Sequence, residues 1–279
     1  MSEDFLAGMA RSSQVRVEVA RTQLSDAQLW QQALASPQPP RLSLSPQHWD
    51  LIAEVKLRSP AAGALKGGDE NIGARVGGYA AAGAAAVSVL TEPSRFDGSL
   101  DHLRSAVQAL AAQGGGVPAM RKDFLVDPYQ VAEARLAGAG GVLIILRMLT
   151  RAQTDALLRA AGRLGLFVLA EAFDEADIAL AHELIGSPAA RDVQLLVGLN
   201  SRDLVTLKVV PGRLEQLAAS LPTSVPRVAE SGLADAADAA RLAAAGYDLA
   251  LVGSALMTSA DPAGLLADML RAGRQARHA

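Results

Sequence analysis

Eight short apolar runs recur along the chain, at residues 52–56, 86–90, 118–122, 141–146, 167–171, 195–199, 226–230 and 249–252. Each is rich in Val, Ile, Leu or Ala and too short for an ordinary helix, so each reads as a buried strand. Between them lie segments with apolar residues at helical spacing, at 127–136, 150–164, 174–184 and 233–244. The runs start 23 to 34 residues apart, the size of one strand–helix unit. Asp174 and Asp235 stand where a carboxylate can open a helix. Gly83, Gly138, Gly165 and Gly246 stand between helix and next strand, where a positive φ is useful. Eight such alternations predict an α/β fold of the (β/α)8 TIM-barrel type, with an open doubly wound sheet as the alternative.

The first 45 residues have a different texture. One helical segment is expected at 25–35, followed by the proline-rich Ser36-Pro37-Gln38-Pro39-Pro40, which stops it. The expected organisation is an N-terminal extension, 1–47, leading into the barrel, 48–279. Length alone, 279 residues, would have allowed two domains. Half the residues are hydrophobic but only 4% aromatic, so Ala, Val, Leu and Ile must build the core. Runs such as YAAAGAAAVSVL then read as tight helix-to-strand junctions. A formal net charge of −3 provides no footprint for nucleic acid or an anionic membrane. The absence of cysteine excludes disulfides, thiolate metal sites and a cysteine nucleophile. No apolar run is long enough to span a bilayer, and the first twenty residues lack a signal-peptide h-region. A cytoplasmic location is expected. Apolar positions on the outer helices assign no oligomeric state.

The polar residues that interrupt these runs cluster at one end. Glu54 and Lys56 close the first, Lys122 the third, Glu171 the fifth, Asn200 and Arg202 the sixth, and Glu230 and Ser231 the seventh. In a barrel these ends converge on the C-terminal face, where active sites are built. Any one of these charges could belong to a structural ion pair, but five strand ends together point to chemistry. Glu54 and Lys56, two apart on a strand, share a side and can approach Lys122 and Glu171. Lysines and carboxylates in one mouth suit acid–base work on an anionic substrate. Gly232, Gly253 and Ser254 follow the last two strands, the usual place for a phosphate in this fold. His48, His102, His182 and His278 fall outside the strand ends, and no metal-ligand cluster is evident.

These residues resemble the indole-3-glycerol phosphate synthase family. The matching segments run in order from about residue 51 to 257: IAEVKLRSP, AAVSVLTEPSRFDGSLDHL, PAMRKDFLVDPYQVAEARLAGAGGVLII, VLAEAFDE, LLVGLNSRDLVTL, RVAESGL and LALVGSALM. The resemblance implies a barrel with an N-terminal helical extension. It also implies closure of 1-(2-carboxyphenylamino)-1-deoxyribulose 5-phosphate to indole-3-glycerol phosphate, with release of CO₂ and water. The implied partner is a phosphorylated small molecule, and no cofactor or metal is implied.

By the same resemblance Lys122, in RKDF, is the acid at the substrate carbonyl, and Lys56 contacts the carboxylate or assists dehydration. Glu54 and Glu171 match the catalytic carboxylates. One removes the proton that completes the indole; the other orients a lysine or protonates the leaving hydroxyl. Asn200 and Ser231 match active-site positions, Arg202 orients Asn200 or its loop, and Glu230 anchors the network. Ser59, Gly232, Gly253 and Ser254 would hold phosphate; Phe124 and Leu199 would flank the aromatic ring. Three departures stand out. Ser59-Pro60 is followed by Ala61-Ala62-Gly63 where many relatives read SPSKG, leaving Lys66 to reach that space. A Gly-rich loop, 63–73, is placed to close over substrate. Phe173 stands where a His often follows the strand-five glutamate, and Ser254 where many relatives carry Glu. Two other readings remain at this point: a paralogue acting on a modified anthranilate adduct, and a non-catalytic binding protein on a barrel scaffold.

Overall fold

The computed structural model describes residues 5–46, 49–61, 63–67 and 70–277. Its eight main strands are β1 (Asp50–Val55), β2 (Ala86–Leu90), β3 (Ala119–Lys122), β4 (Gly141–Ile145), β5 (Phe167–Ala172), β6 (Leu195–Asn200), β7 (Arg227–Glu230) and β8 (Leu249–Val252). All eight pair in parallel with their neighbours in chain order, and β8 closes on β1 through the register Asp50↔Leu249 to Ala53↔Val252. The chain is therefore a closed (β/α)8 barrel, and the open sheet is excluded. A two-residue hairpin, Arg58–Ser59 with Gly63–Ala64, decorates the loop after β1.

Strand alternation sorts the apolar residues into two layers. Ile52, Ala86, Met120, Leu143, Phe167, Leu196, Val228 and Leu249 fill the barrel interior. Leu51, Val87, Val142, Val168, Val197, Ala229 and Ala250 instead pack outward with the helices. The interior is filled by side chains, including Phe167, whose ring occupies the space that a Cβ at Gly141 would need. Helix starts follow the expected caps. Asp174 accepts from the N–H groups of Ala176 and Asp177, Asp235 from those of Ala237 and Asp238. Thr150 forms a reciprocal capping box with Gln153. The four junction glycines have φ between 71° and 100°, where a side chain would be strained.

Among the described residues, two helices precede the barrel. The expected one, α2 (Asp26–Ala35), is opened by a capping box between Ser25 and Gln28. The other, α1 (Phe5–Gln23), is hidden in the sequence by its mixed surface. Its buried face is Leu6, Met9, Ser13 and Val17, with a serine at a core position, while Val15 and Val19 are exposed. The extension is tied to the barrel by Arg135, a fully buried guanidinium that donates to the Ser36 and Leu164 carbonyls. Among the described residues, no helix is long and apolar enough to cross a membrane.

Candidate active site

A cavity opens at the C-terminal mouth of the barrel, and the candidate residues other than Leu199 and Lys66 line it. Glu54, Lys56 and Ser59 come from β1 and its loop, Lys122 and Phe124 from β3 and its loop, and Glu171 from β5. β6 and its loop contribute Asn200 and Arg202, β7 and its loop Glu230, Ser231 and Gly232, and the turn after β8 Gly253 and Ser254. The odd strands carry the charge: the inward ends of β1, β3, β5 and β7 are Glu54, Lys122, Glu171 and Glu230. β2 and β4 line the same mouth with Leu90 and Ile145. Leu199 is placed otherwise. It alternates with Asn200 and lies buried in the outer sheet–helix layer, so it does not flank the cavity. Lys66 is absent from the lining. His102 and His182 sit on helices away from it, while Ala62, His48 and His278 lie outside the described residues.

The charged groups form two linked clusters. Lys56 Nζ lies 2.5 Å from Glu54 Oε1. Lys122 Nζ lies 3.4 Å from Glu230 Oε2 and 3.8 Å from Glu171 Oε2. Asn200 donates its side-chain amide to Glu171, and the Arg202 N–H donates to Asn200 Oδ1 at 2.9 Å. The Arg202 guanidinium turns away to the Leu207 carbonyl, at 2.7 Å, and so clasps the loop after β6. Burial disfavours the Lys122 ammonium, yet neighbouring carboxylates, Glu171 first among them, outweigh it and hold it protonated well above the ordinary lysine range. Burial also works against the Glu54 carboxylate, but Lys56 and Lys122 bring its net shift downward.

Glu230 is different. Burial, followed by the neighbouring charge of Glu171, pushes its carboxyl from 4.5 up to about 8 in spite of Lys122. Its Oε1 is buried without a hydrogen-bond partner, in space left open because residue 198 is glycine. Folding therefore favours the protonated acid. That contribution is fully present below about pH 4.5 and is lost as pH rises through about 8. Replacement by glutamine removes the titration. The melting temperature of Glu230→Gln should gain on the wild type by several degrees as pH rises across this window. A pH-independent offset between the two proteins would contradict the raised carboxyl.

The turn after β7 carries strain. Ser231, with φ 68°, is a non-glycine residue in the left-handed region, at a cost of about 1–2 kcal/mol, and Gly232 follows at φ 82°. Ser201 holds this turn, with its hydroxyl donating to the Ser231 carbonyl at 3.1 Å. Beyond β8, the five-residue helix Ser254–Thr258 follows Gly253, which supplies no side-chain cap to its first N–H groups.

Aromatic side chains concentrate at the opposite wall. Four of the five phenylalanines in the chain, Phe5, Phe96, Phe124 and Phe173, line this cavity. Phe5 meets Phe124 edge-on at 5.8 Å, and Phe96 tilts against it at 6.1 Å. Arg147 lies over Phe173 at 4.8 Å, held by Asp174 and Asp177. Phe5 comes from α1, so the extension enters the mouth. No local spacing links it to the strand ends, and only the scarcity of phenylalanine could have drawn attention to it. Asp123 also lines the cavity and pairs with Arg16 of α1, a contact across 107 residues that no motif announces.

Known proteins resemble this chain over most of its length. The family model described as indole-3-glycerol phosphate synthase matches residues 7–269. A protein of that name from Opitutus terrae is 38% identical over 251 residues, which are 88% of this chain and 90% of that protein. One from Mycolicibacterium smegmatis is 40% identical over 266 residues, 93% and 92% of the two chains. Among solved structures, 3-hexulose-6-phosphate synthase from Salmonella typhimurium aligns with a TM-score of 0.61. It covers 81% of this chain and 99% of its own at 16% identity, a likeness of fold alone. With the family match spanning α1 through the last helix and relatives near 40% identity over most of their length, this chain belongs to the indole-3-glycerol phosphate synthase family.

Proposed function

We infer that this chain is an indole-3-glycerol phosphate synthase, a carboxy-lyase of tryptophan biosynthesis. It closes 1-(2-carboxyphenylamino)-1-deoxyribulose 5-phosphate to indole-3-glycerol phosphate, CO₂ and water. The observation that carries this reading is Lys122, a protonated lysine set between two glutamates and faced by a phenylalanine wall. The ring carbon that bears the carboxylate attacks the ribulose ketone, assisted by the aniline nitrogen lone pair. Lys122 gives its proton to the carbonyl oxygen as the C–C bond forms, and its charge offsets the developing oxyanion. Loss of CO₂ returns the C–C electron pair to the ring and restores aromaticity. Dehydration then removes the new hydroxyl, with a proton to it, and a proton from the carbon next to nitrogen, which completes the indole.

Glu171, held by Asn200 and close to Lys122, is suited to removing that last proton. Glu54 is committed to Lys56 and orients it toward the substrate carboxylate. Glu230, kept largely neutral, limits the negative charge around Lys122. Asn200 and Ser231 position the substrate's polar groups, and Arg202 positions Asn200. Ser59, Gly232, Gly253 and Ser254 surround the phosphate. Phe124, with Phe5, Phe96 and Phe173, flanks the aromatic ring. Residues 1–47 are then an extension whose Phe5 completes the wall of the catalytic barrel, 48–279. A phosphorylated substrate does not cross a bilayer unaided, which supports a cytoplasmic site of action. The test is direct. Purified protein given the carboxyphenylamino ribulose phosphate should produce indole fluorescence, and a folded protein that forms no product would overturn the assignment.

A further inference from the structure

The residues that follow Lys122 are held by the N-terminal helix. The Asp123 side chain has no exposed surface and receives both terminal nitrogens of Arg16, Nη1 at 2.9 Å and Nη2 at 2.8 Å. Thr91 donates its hydroxyl to the same carboxylate at 2.7 Å, and Arg121 its Nη2 at 3.1 Å. One residue on, the Phe124 carbonyl accepts the hydroxyl of Ser13, and Gln130 donates to that hydroxyl at 2.7 Å. The helix α1 thus grips both residues after the lysine through polar groups, in addition to the Phe5–Phe124 ring contact.

The charge balance shows why Arg16 is needed. Arg121 is shared between Asp123 and Glu133, 3.1 Å away, so one guanidinium serves two carboxylates. Arg16 is the second cation. Without it, Asp123 is a buried, under-compensated carboxylate directly beside Lys122 in the chain, and the backbone that carries Lys122 loses its anchor. We propose that Arg16 is a positioning residue for the ring-closure reaction, fixing through Asp123 the backbone from which Lys122 reaches the substrate. This rests on the reading of Lys122 as the proton donor.

The same helix supplies a control. Arg21 also docks α1, pairing with Asp127 at 2.9 Å, but touches neither neighbour of Lys122. The experiment compares Arg16→Leu, Arg16→Lys and Arg21→Leu by melting temperature, steady-state kinetics and amine labelling of the chain's four lysines, read by mass spectrometry. In Arg16→Leu, kcat should fall about tenfold or more with KM within about threefold. Lys122 should label several-fold faster, with Lys66 and Lys208 unchanged. Arg16→Lys, a point charge without the two-pronged geometry, should recover part of kcat. Arg21→Leu should lose stability while keeping kcat. Unchanged kcat in Arg16→Leu, or an equal fall in Arg21→Leu, overturns the proposal. If the wild type itself forms no indole, the synthase reading fails and labelling decides: unchanged Lys122 reactivity in Arg16→Leu still overturns the role of Arg16, and faster labelling supports it. Should Arg16→Leu not fold, Arg16→Lys takes its place, reduced kcat at constant KM supporting the proposal and wild-type kcat overturning it.

Discussion

Lys122→Met should lower kcat by about 10³-fold while changing KM only a few-fold. A positioned general acid contributes about 10²–10⁴ in rate, and on the proposed reading the same ammonium also stabilises the forming oxyanion. Methionine keeps most of the aliphatic stem, so the cavity is not emptied and binding of the ring and phosphate should persist. The electrostatics change more than the shape. Glu171 and Glu230, which now lie 3.8 and 3.4 Å from one ammonium, lose their shared counter-charge. Removing one member of a buried ion pair typically costs about 3–5 kcal/mol. Glu230 already favours its protonated form, so part of that cost is relieved below about pH 8. The variant should therefore fold at neutral pH and lose stability faster than the wild type as pH rises. Steady-state kinetics with a melting series across pH tests both statements. Near-normal turnover would remove Lys122 from the acid role, and a pH-independent stability difference would remove the coupling to Glu230.

This coupling also explains the composition of the mouth. Three glutamates and two lysines in so small a space are tolerable because they fall into two sets, Glu54 with Lys56 and Lys122 with Glu171 and Glu230, and burial pushes the Glu230 carboxyl toward its protonated form. The bare pattern of charge at odd strand ends was legible from the sequence, since strand ends and alternation are local properties. So were the eight strands, the caps at Asp174 and Asp235, and the junction glycines. Alternation also carried information against Leu199, which cannot share a face with Asn200 on one strand. What could not be read depends on neighbours distant in the chain. The α1 helix hides its apolar stripe behind Ser13 and two exposed valines, because its docking uses hydrogen bonds and an ion pair as well as apolar contact. Phe5 reaches the mouth only because α1 lies across it. The partner of Asp123 lies 107 residues away, beyond the reach of any periodicity.

Gly253→Ala should reduce kcat/KM by about 10²-fold, with kcat and KM both affected, although the substitution adds one methyl group. From the sequence this glycine is a phosphate cradle, which would change KM alone. In the structure it also makes room for the Glu54–Lys56 pair at the end of β1. A Cβ at this position would fall 2.2 Å from Glu54 Oε1 and 2.9 Å from Lys56 Nζ, distances that real contacts do not reach. Both atoms belong to side chains, so the barrel can accept the methyl, but only by displacing the pair. Displacement of about 1 Å at a catalytic group is enough to cost about 10² in rate. Ser254→Ala separates the two functions of this turn. It removes a hydroxyl from the phosphate side and leaves Glu54 and Lys56 in place, so it should raise KM a few-fold at nearly constant kcat. If Gly253→Ala behaves like Ser254→Ala, with KM alone raised, then Glu54 and Lys56 do not need the space the glycine leaves, and its role reduces to the phosphate.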